Sequence, residues 1–120
     1  MTTKATTVWV TTSFIGFHCW ADAPKEVGYL KTLHRHKFNV KVWVRVKHDD
    51  RDVEFHTLQS LVNQVIATKV FPELQTEHTL SCEMMASMVG AELESKYKIQ
   101  CAGVEVDEDG ECGAIITIEE

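Results

Sequence analysis

The 120-residue chain lacks several features that mark common functional classes. It has no excess of basic residues, since 12 Lys and Arg stand against 18 Asp and Glu, for a net charge of −6. That balance argues against a surface for nucleic acid or anionic membranes, which requires clustered positive charge. No apolar run approaches the roughly 18 residues of a membrane span, and "MTTKATT" lacks the apolar core of a signal peptide. We therefore expect a cytoplasmic protein with neither nucleic-acid nor membrane partners.

The four cysteines also lack a pattern, because none of them forms a C-x-x-C pair. In a cytoplasmic chain they are expected to be reduced thiols, which argues against a zinc site built from cysteine. The length predicts one domain over residues 1–120, large enough for a hydrophobic core. Six histidines are present, and their positions are informative.

Four segments have the pattern of strands and two have the pattern of helices. The strands are predicted at residues 7–18, 36–48, 99–108 and 114–118, with a loop over residues 19–32 and a turn at Asp109-Gly110. One helix is predicted to run from Phe55 to near Pro72, and a second to begin at Ser81, a residue type that caps helices. This order predicts an α+β fold with an antiparallel sheet and both helices on one face.

Three histidines are predicted to meet at one end of this sheet. His18 ends the first strand, on the face that carries its apolar residues, and His34 and His36 open the second strand on the equivalent face. If the two strands form a hairpin, the end of the first lies beside the start of the second. Three imidazoles with an open fourth position are typical of a catalytic zinc ion. The alternative interpretation is solvated histidines beside a turn.

Several motifs resemble the 6-pyruvoyl-tetrahydropterin synthase and 6-carboxytetrahydropterin synthase family. The segments "FIGFHCW", "LHRHKFNVKVWV", "VEFHTLQ", "SCEMMA" and "VEVDED" follow the order of the family motifs over nearly the whole chain. The resemblance implies a T-fold, a ββααββ unit that oligomerises by joining its sheets into a barrel, as a trimer, tetramer or hexamer. It also implies zinc ligands at His18, His34 and His36, and a pterin-binding carboxylate at Glu108. Glu83, at the Glu of the family P-T-x-E signature, is implied as a second substrate-binding residue.

The departures from the family pattern fall on the residues that move protons. Leu30 stands where the family has its catalytic Cys, and Lys31 where a variant branch has Glu. The family's Asp-His pair is replaced by residues within "KVFPELQ". The catalytic residues are therefore unknown from sequence. His78, Lys31 and Cys19 are candidates, although the sequence favours a surface histidine for His78 and a small buried side chain for Cys19.

The resemblance implies a zinc-dependent pterin-handling lyase, similar to 6-carboxytetrahydropterin synthase. Such an enzyme converts the side chain of dihydroneopterin triphosphate, cleaving carbon–oxygen or carbon–carbon bonds, on the route to deazaguanines and queuosine. One alternative is an inactive, zinc-containing module that binds a pterin or guanine-type ligand. Another is an oligomeric assembly protein in which the histidines have no function.

Overall fold

The computed structural model describes residues 4–119. Its sheet has four antiparallel strands in the order β1-β2-β3-β4. The strands and helices, in chain order, are β1 (Thr6–His18), β2 (His34–Val46), α1 (Phe55–Val65), α2 (Phe71–Thr76), α3 (Cys82–Tyr97), β3 (Cys101–Glu108) and β4 (Cys112–Thr117). Among the described residues, no helix has the length and hydropathy of a membrane-spanning segment.

Strand β2 shows how the sequence divides the sheet into two faces. Its even-numbered residues Phe38, Val40, Val42 and Val44 are fully buried, because they lie under the helices. Its odd-numbered neighbours, such as Lys41 and Trp43, project from the opposite face, as the alternation of a strand requires. The predicted α+β arrangement, an antiparallel sheet with the helices on one face, is confirmed.

The helical face buries one continuous core between the sheet and the helices. Leu58, Val62 and Val65 form the apolar stripe of α1, and α3 contributes Met85, Ala86, Val89 and Leu93. The predicted cap is present, since Ser81 Oγ accepts the backbone N–H of Met84 at 3.1 Å. Helix α3 therefore begins at a fixed point beside the end of the sheet where β1 ends and β2 begins.

The predicted end of the first helix and the predicted loop differ from the structure, and the strand ends shift by up to two residues. The first helical segment does not end near Pro72 but continues to Thr76 through a π-helical turn, Ile66–Val70. Pro72 is tolerated because it lies in the first turn of α2, where a missing N–H costs little. The predicted loop between β1 and β2 contains a short 3₁₀ helix, Lys25–Lys31.

Candidate metal and ligand site

The hairpin register of β1 and β2 brings His18, His34 and His36 together. His18 pairs directly with His34, and Gly16 pairs with His36. The three ring centroids lie 4.7, 4.9 and 5.2 Å apart, and one ring nitrogen from each histidine falls within 4.8 Å of the others. Below them lies the fully buried ring of Phe38, 5.2 Å from the centroid of His18. The cluster is thus at the edge of the core, with one side facing outward.

Each of the three rings is oriented by a hydrogen-bond acceptor at Nδ1. His18 Nδ1–H donates to the carbonyl of Leu80 at 2.9 Å, and His34 Nδ1–H donates to the carbonyl of Thr32 at 2.8 Å. His36 Nδ1–H donates to Asp109 Oδ2 at 2.7 Å. Because these oxygens can only accept, the proton of each neutral ring is on Nδ1, and Nε2 keeps its lone pair.

Asp109 is a supporting residue that the sequence had indicated only as part of a turn. Its φ of 60° and that of Gly110, 74°, form the tight turn between β3 and β4, which directs the carboxylate back to β2. Oδ1 accepts the backbone N–H of Lys37 at 2.8 Å, while Oδ2 accepts from His36. The hydrogen bond from His36, followed by that from Lys37, lowers the pKa of Asp109 below its ordinary value. The signal in the sequence was an acidic residue directly after Glu108.

Glu108 lies against the histidines rather than in open solvent. Its Oε2 is 3.0 Å from His18 Nε2, and its Oε1 is 3.6 Å from His36 Nε2. Two thiols lie close to the same carboxylate, with Cys82 Sγ 3.9 Å from Oε2 and Cys112 Sγ 3.8 Å from Oε1. The last residue of β3 is therefore in contact with two of the three histidines and with two cysteines.

A cavity of about 470 Å³ opens beside this cluster. Its polar lining includes His18, His34, Glu108 and Glu83, and its apolar lining includes Trp20, Leu30 and Met84. Such a volume, with a few polar groups on an apolar wall, is typical of small-molecule sites. The two predicted substrate-binding carboxylates, Glu108 and Glu83, line the same cavity.

Cys82 and Cys112 were not recognised from the sequence as residues of this site. Cys82 is in the apolar stripe of α3, and Cys112 follows a turn, so neither position suggested a cavity. Burial, followed by the negative charge of Glu108, raises the pKa of the Cys82 thiol to about 12. The same causes raise the pKa of Cys112. Both thiols therefore keep their protons at neutral pH and are not thiolates.

The three candidate catalytic residues lie in different places. Cys19 lines the cavity, and its backbone N–H donates to the carbonyl of His78 at 2.8 Å. His78 is exposed outside the cavity lining, with Nδ1 3.2 Å from the carbonyl of Leu74. Lys31 is exposed at the end of the 3₁₀ helix and also lies outside the lining. Of the three, only Cys19 is placed against the cavity.

The apolar residues of the segment "KVFPELQ" pack in or against the core. Val70 and Leu74 are buried, and the ring of Phe71 packs edge-on against Phe14 at 6.4 Å. Leu30 presents an apolar side chain to the cavity. The apolar residues at these positions therefore supply packing and no proton-transferring group.

The three-histidine cluster fits a zinc ion by its chemistry. Neutral imidazoles with free Nε2 atoms are the ligands that zinc prefers, and each ring is already held by an acceptor on its other nitrogen, as metal-binding histidines are. A site with three protein ligands keeps a position for water or substrate, and here that side faces the cavity.

Comparisons with known proteins agree with this architecture. The profile of one protein family, described as 6-pyruvoyl tetrahydropterin synthase, matches residues 7–119. Among solved structures, an uncharacterized protein from Wolinella succinogenes is similar with a TM-score of 0.74 at 12% identity, covering 98% of this chain and 100% of that one. The Caenorhabditis elegans 6-pyruvoyl tetrahydropterin synthase is similar with a TM-score of 0.72 at 15% identity, covering 97% of each chain. The comparison with curated proteins finds no match. At these identities the solved structures show the fold, and the predicted ββααββ arrangement of the T-fold is confirmed for the single chain.

Proposed function

The chain belongs to the 6-pyruvoyl tetrahydropterin synthase family, and from that premise we propose that it is a zinc-dependent, pterin-handling enzyme similar to 6-carboxytetrahydropterin synthase. The observation that supports this most directly is the convergence of three histidines beside a cavity lined by Glu108. The proposed substrate is dihydroneopterin triphosphate, on the route to deazaguanines and queuosine, in the cytoplasm. The reaction would be that of a carbon–oxygen or carbon–carbon lyase.

In this proposal His18, His34 and His36 hold the metal through their Nε2 atoms. When bound, zinc would supply Lewis-acid polarisation of the oxygens on the substrate side chain. Leu80, Thr32 and Asp109 accept from the Nδ1 atoms and orient the rings, which leaves the Nε2 atoms for the metal.

Glu108 and Glu83 are proposed to recognise the pterin ring. A carboxylate accepts two parallel N–H bonds from the amino and ring nitrogens of a guanidine-like edge. The exposed side chains of Trp20 and Met84 add apolar surface at the same cavity, which suits a flat heterocycle.

The test of the substrate is incubation of the zinc-loaded protein with dihydroneopterin triphosphate, followed by chromatography of the products. We expect turnover, and we expect Glu108→Gln to lose pterin binding while it retains one zinc per chain at saturating metal. Equal pterin binding by wild type and Glu108→Gln would contradict the role of the carboxylate.

A second candidate function is an inactive binding module for a pterin or guanine-type ligand. It is favoured by one observation: Leu30, an apolar side chain that lines the cavity, stands where the family has its catalytic Cys. A rise in melting temperature with the ligand, but with no product formed, would select this function over the enzyme.

We also propose that the chain forms a homo-oligomer. The sheet face opposite the helices exposes Trp9, Ile15, Phe17 and Ile115, each between 41% and 55% accessible. Apolar surface of this kind is typical of protein interfaces. Light scattering coupled to gel filtration should give the mass of a trimer, tetramer or hexamer, and a monomer at micromolar concentration would contradict it. A well-formed oligomer that binds neither zinc nor pterin would instead favour an assembly protein.

A further inference from the structure

Glu108 makes contacts that its proposed role in ligand recognition does not explain. A carboxylate that only accepts N–H hydrogen bonds from a ligand in the cavity is expected to point into solvent when no ligand is bound. Instead its two oxygens lie 3.0 Å from His18 Nε2 and 3.6 Å from His36 Nε2, and only about a quarter of the side chain is exposed.

These contacts need a positive charge between the carboxylate and the ring nitrogens, which either a proton on a ring or a metal ion can supply. His18 Nδ1 donates to the carbonyl of Leu80, so in the neutral ring Nε2 has a lone pair and no hydrogen. A carboxylate oxygen also has only lone pairs to offer. A proton on His18 would join the carboxylate to that ring alone, whereas a dication satisfies His18, His36 and Glu108 together.

The distances also match those between ligands of one metal ion. Zinc lies about 2.0–2.2 Å from imidazole nitrogen and carboxylate oxygen, which puts neighbouring ligands of a tetrahedral site roughly 3.3 Å apart. The two distances from Glu108 to the histidine nitrogens, 3.0 and 3.6 Å, lie on either side of that value.

We propose that Glu108 is a fourth metal ligand in the protein free of organic ligand, so that the resting site is three histidines and one carboxylate. The inference rests on the metal site of the proposed function and adds a role for Glu108. A carboxylate bound to metal cannot at the same time accept both N–H groups of a pterin edge. Ligand binding would therefore release Glu108 and open a coordination position that faces the cavity.

Two neighbouring thiols support this assignment, and a third residue provides a control for it. The thiols of Cys82 and Cys112 lie 3.9 and 3.8 Å from opposite oxygens of Glu108, within reach of weak S–H···O hydrogen bonds to the carboxylate. Asp107, the preceding residue, carries the same charge and bonds to Asn39 and Gly110, 2.8 Å away in each case. Both of those bonds use Oδ1, so Asp107→Asn removes one negative charge beside the site and retains the acceptor.

The test is the zinc affinity of wild type, Glu108→Gln, Glu108→Ala and Asp107→Asn, measured by competition with a chromophoric chelator. Removal of groups that only orient metal ligands costs about 10–100-fold in affinity. Loss of a direct ligand should therefore weaken zinc binding at least about tenfold in both Glu108 variants. Asp107→Asn should stay within about twofold of wild type, since it changes charge alone.

The visible absorption of the Co²⁺-loaded proteins separates a ligand from a supporting group. We expect the ligand-field bands to change in position or intensity in both Glu108 variants and to stay the same in Asp107→Asn. Unchanged affinity, or weaker affinity with an unchanged Co²⁺ spectrum in either folded Glu108 variant, would overturn the assignment. Such a result leaves the three-histidine site and the proposed function intact. Failure of the wild type to bind pterin would contradict the proposed function and leave the ligand assignment standing.

Discussion

Replacing Asp109 by Asn should weaken zinc binding although residue 109 lies outside the proposed ligand set. Both oxygens of Asp109 accept hydrogen bonds, Oδ2 from His36 at 2.7 Å and Oδ1 from the N–H of Lys37 at 2.8 Å. An Asn side chain has one oxygen and one NH₂ group. In either orientation, the NH₂ group faces an N–H donor, so one of the two hydrogen bonds is lost.

The lost hydrogen bond weakens metal binding because it changes the orientation and basicity of the His36 ring. If the amide turns its oxygen to His36, the ring keeps its position but loses a charged partner. If it turns the other way, the ring loses the partner altogether. Substitutions of this type weaken metal binding by about 10–100-fold, and we expect Asp109→Asn to fall in that range. Asp109→Ala, which removes both acceptors, should bind zinc no more tightly than Asp109→Asn.

The assay is competition for zinc against a chromophoric chelator, with Asp107→Asn as the matched control. That variant removes one negative charge from the same turn without touching a histidine, and it should bind zinc within about twofold of wild type. Equal affinities for Asp109→Asn and Asp107→Asn, in proteins with the same melting temperature, would refute the reasoning.

Two predictions concern stability. Gly16→Ala should lower the free energy of unfolding by about 1–3 kcal/mol, because an added Cβ would lie 2.8 Å from Leu74 Cδ2. The control Gly28→Ala meets no atom within 4 Å, and equal denaturant midpoints for the two variants would contradict the packing argument. Hydrogen bonds from the N–H groups of His56 and Thr57 lower the pKa of Glu54, the carboxylate that caps α1. The ionised cap therefore stabilises the fold fully at pH values above the ordinary pKa of Glu, and this contribution is lost as the pH falls through the lowered pKa of Glu54. The melting temperature of wild type should therefore fall more steeply below about pH 5 than that of Glu54→Gln; parallel profiles would exclude the cap as a cause of acid sensitivity.

The part of the site that sequence predicted depends on strand geometry alone. Once His18 ends one strand and His34 and His36 begin its antiparallel neighbour, alternation places all three on one face. The same reasoning predicted the buried face of β2, since Phe38, Val40 and Val42 continue the parity of the histidines. Local patterns of period two were sufficient for both.

The part that sequence missed depends on packing between distant segments. Cys82 reaches Glu108 because the start of α3 lies beside the end of β3, 26 residues along the chain. Asp109 contacts His36 across 73 residues, through the turn that follows β3. Neither distance follows from periodicity. The continuation of the helical segment past Pro72 was missed for a local reason. A π-helical turn precedes the proline and places it in the first turn of a new helix, where it is tolerated.

The most direct test of the account is the zinc content of the purified protein after expression in metal-supplemented medium. We expect close to one zinc per chain in wild type and in His56→Gln, whose histidine lies in the first turn of α1 outside the cluster. His34→Gln should lose most of the metal, because one of three converging nitrogens is removed. Less than about one zinc per several wild-type chains, or equal zinc in wild type and His34→Gln, would contradict a three-histidine metal centre.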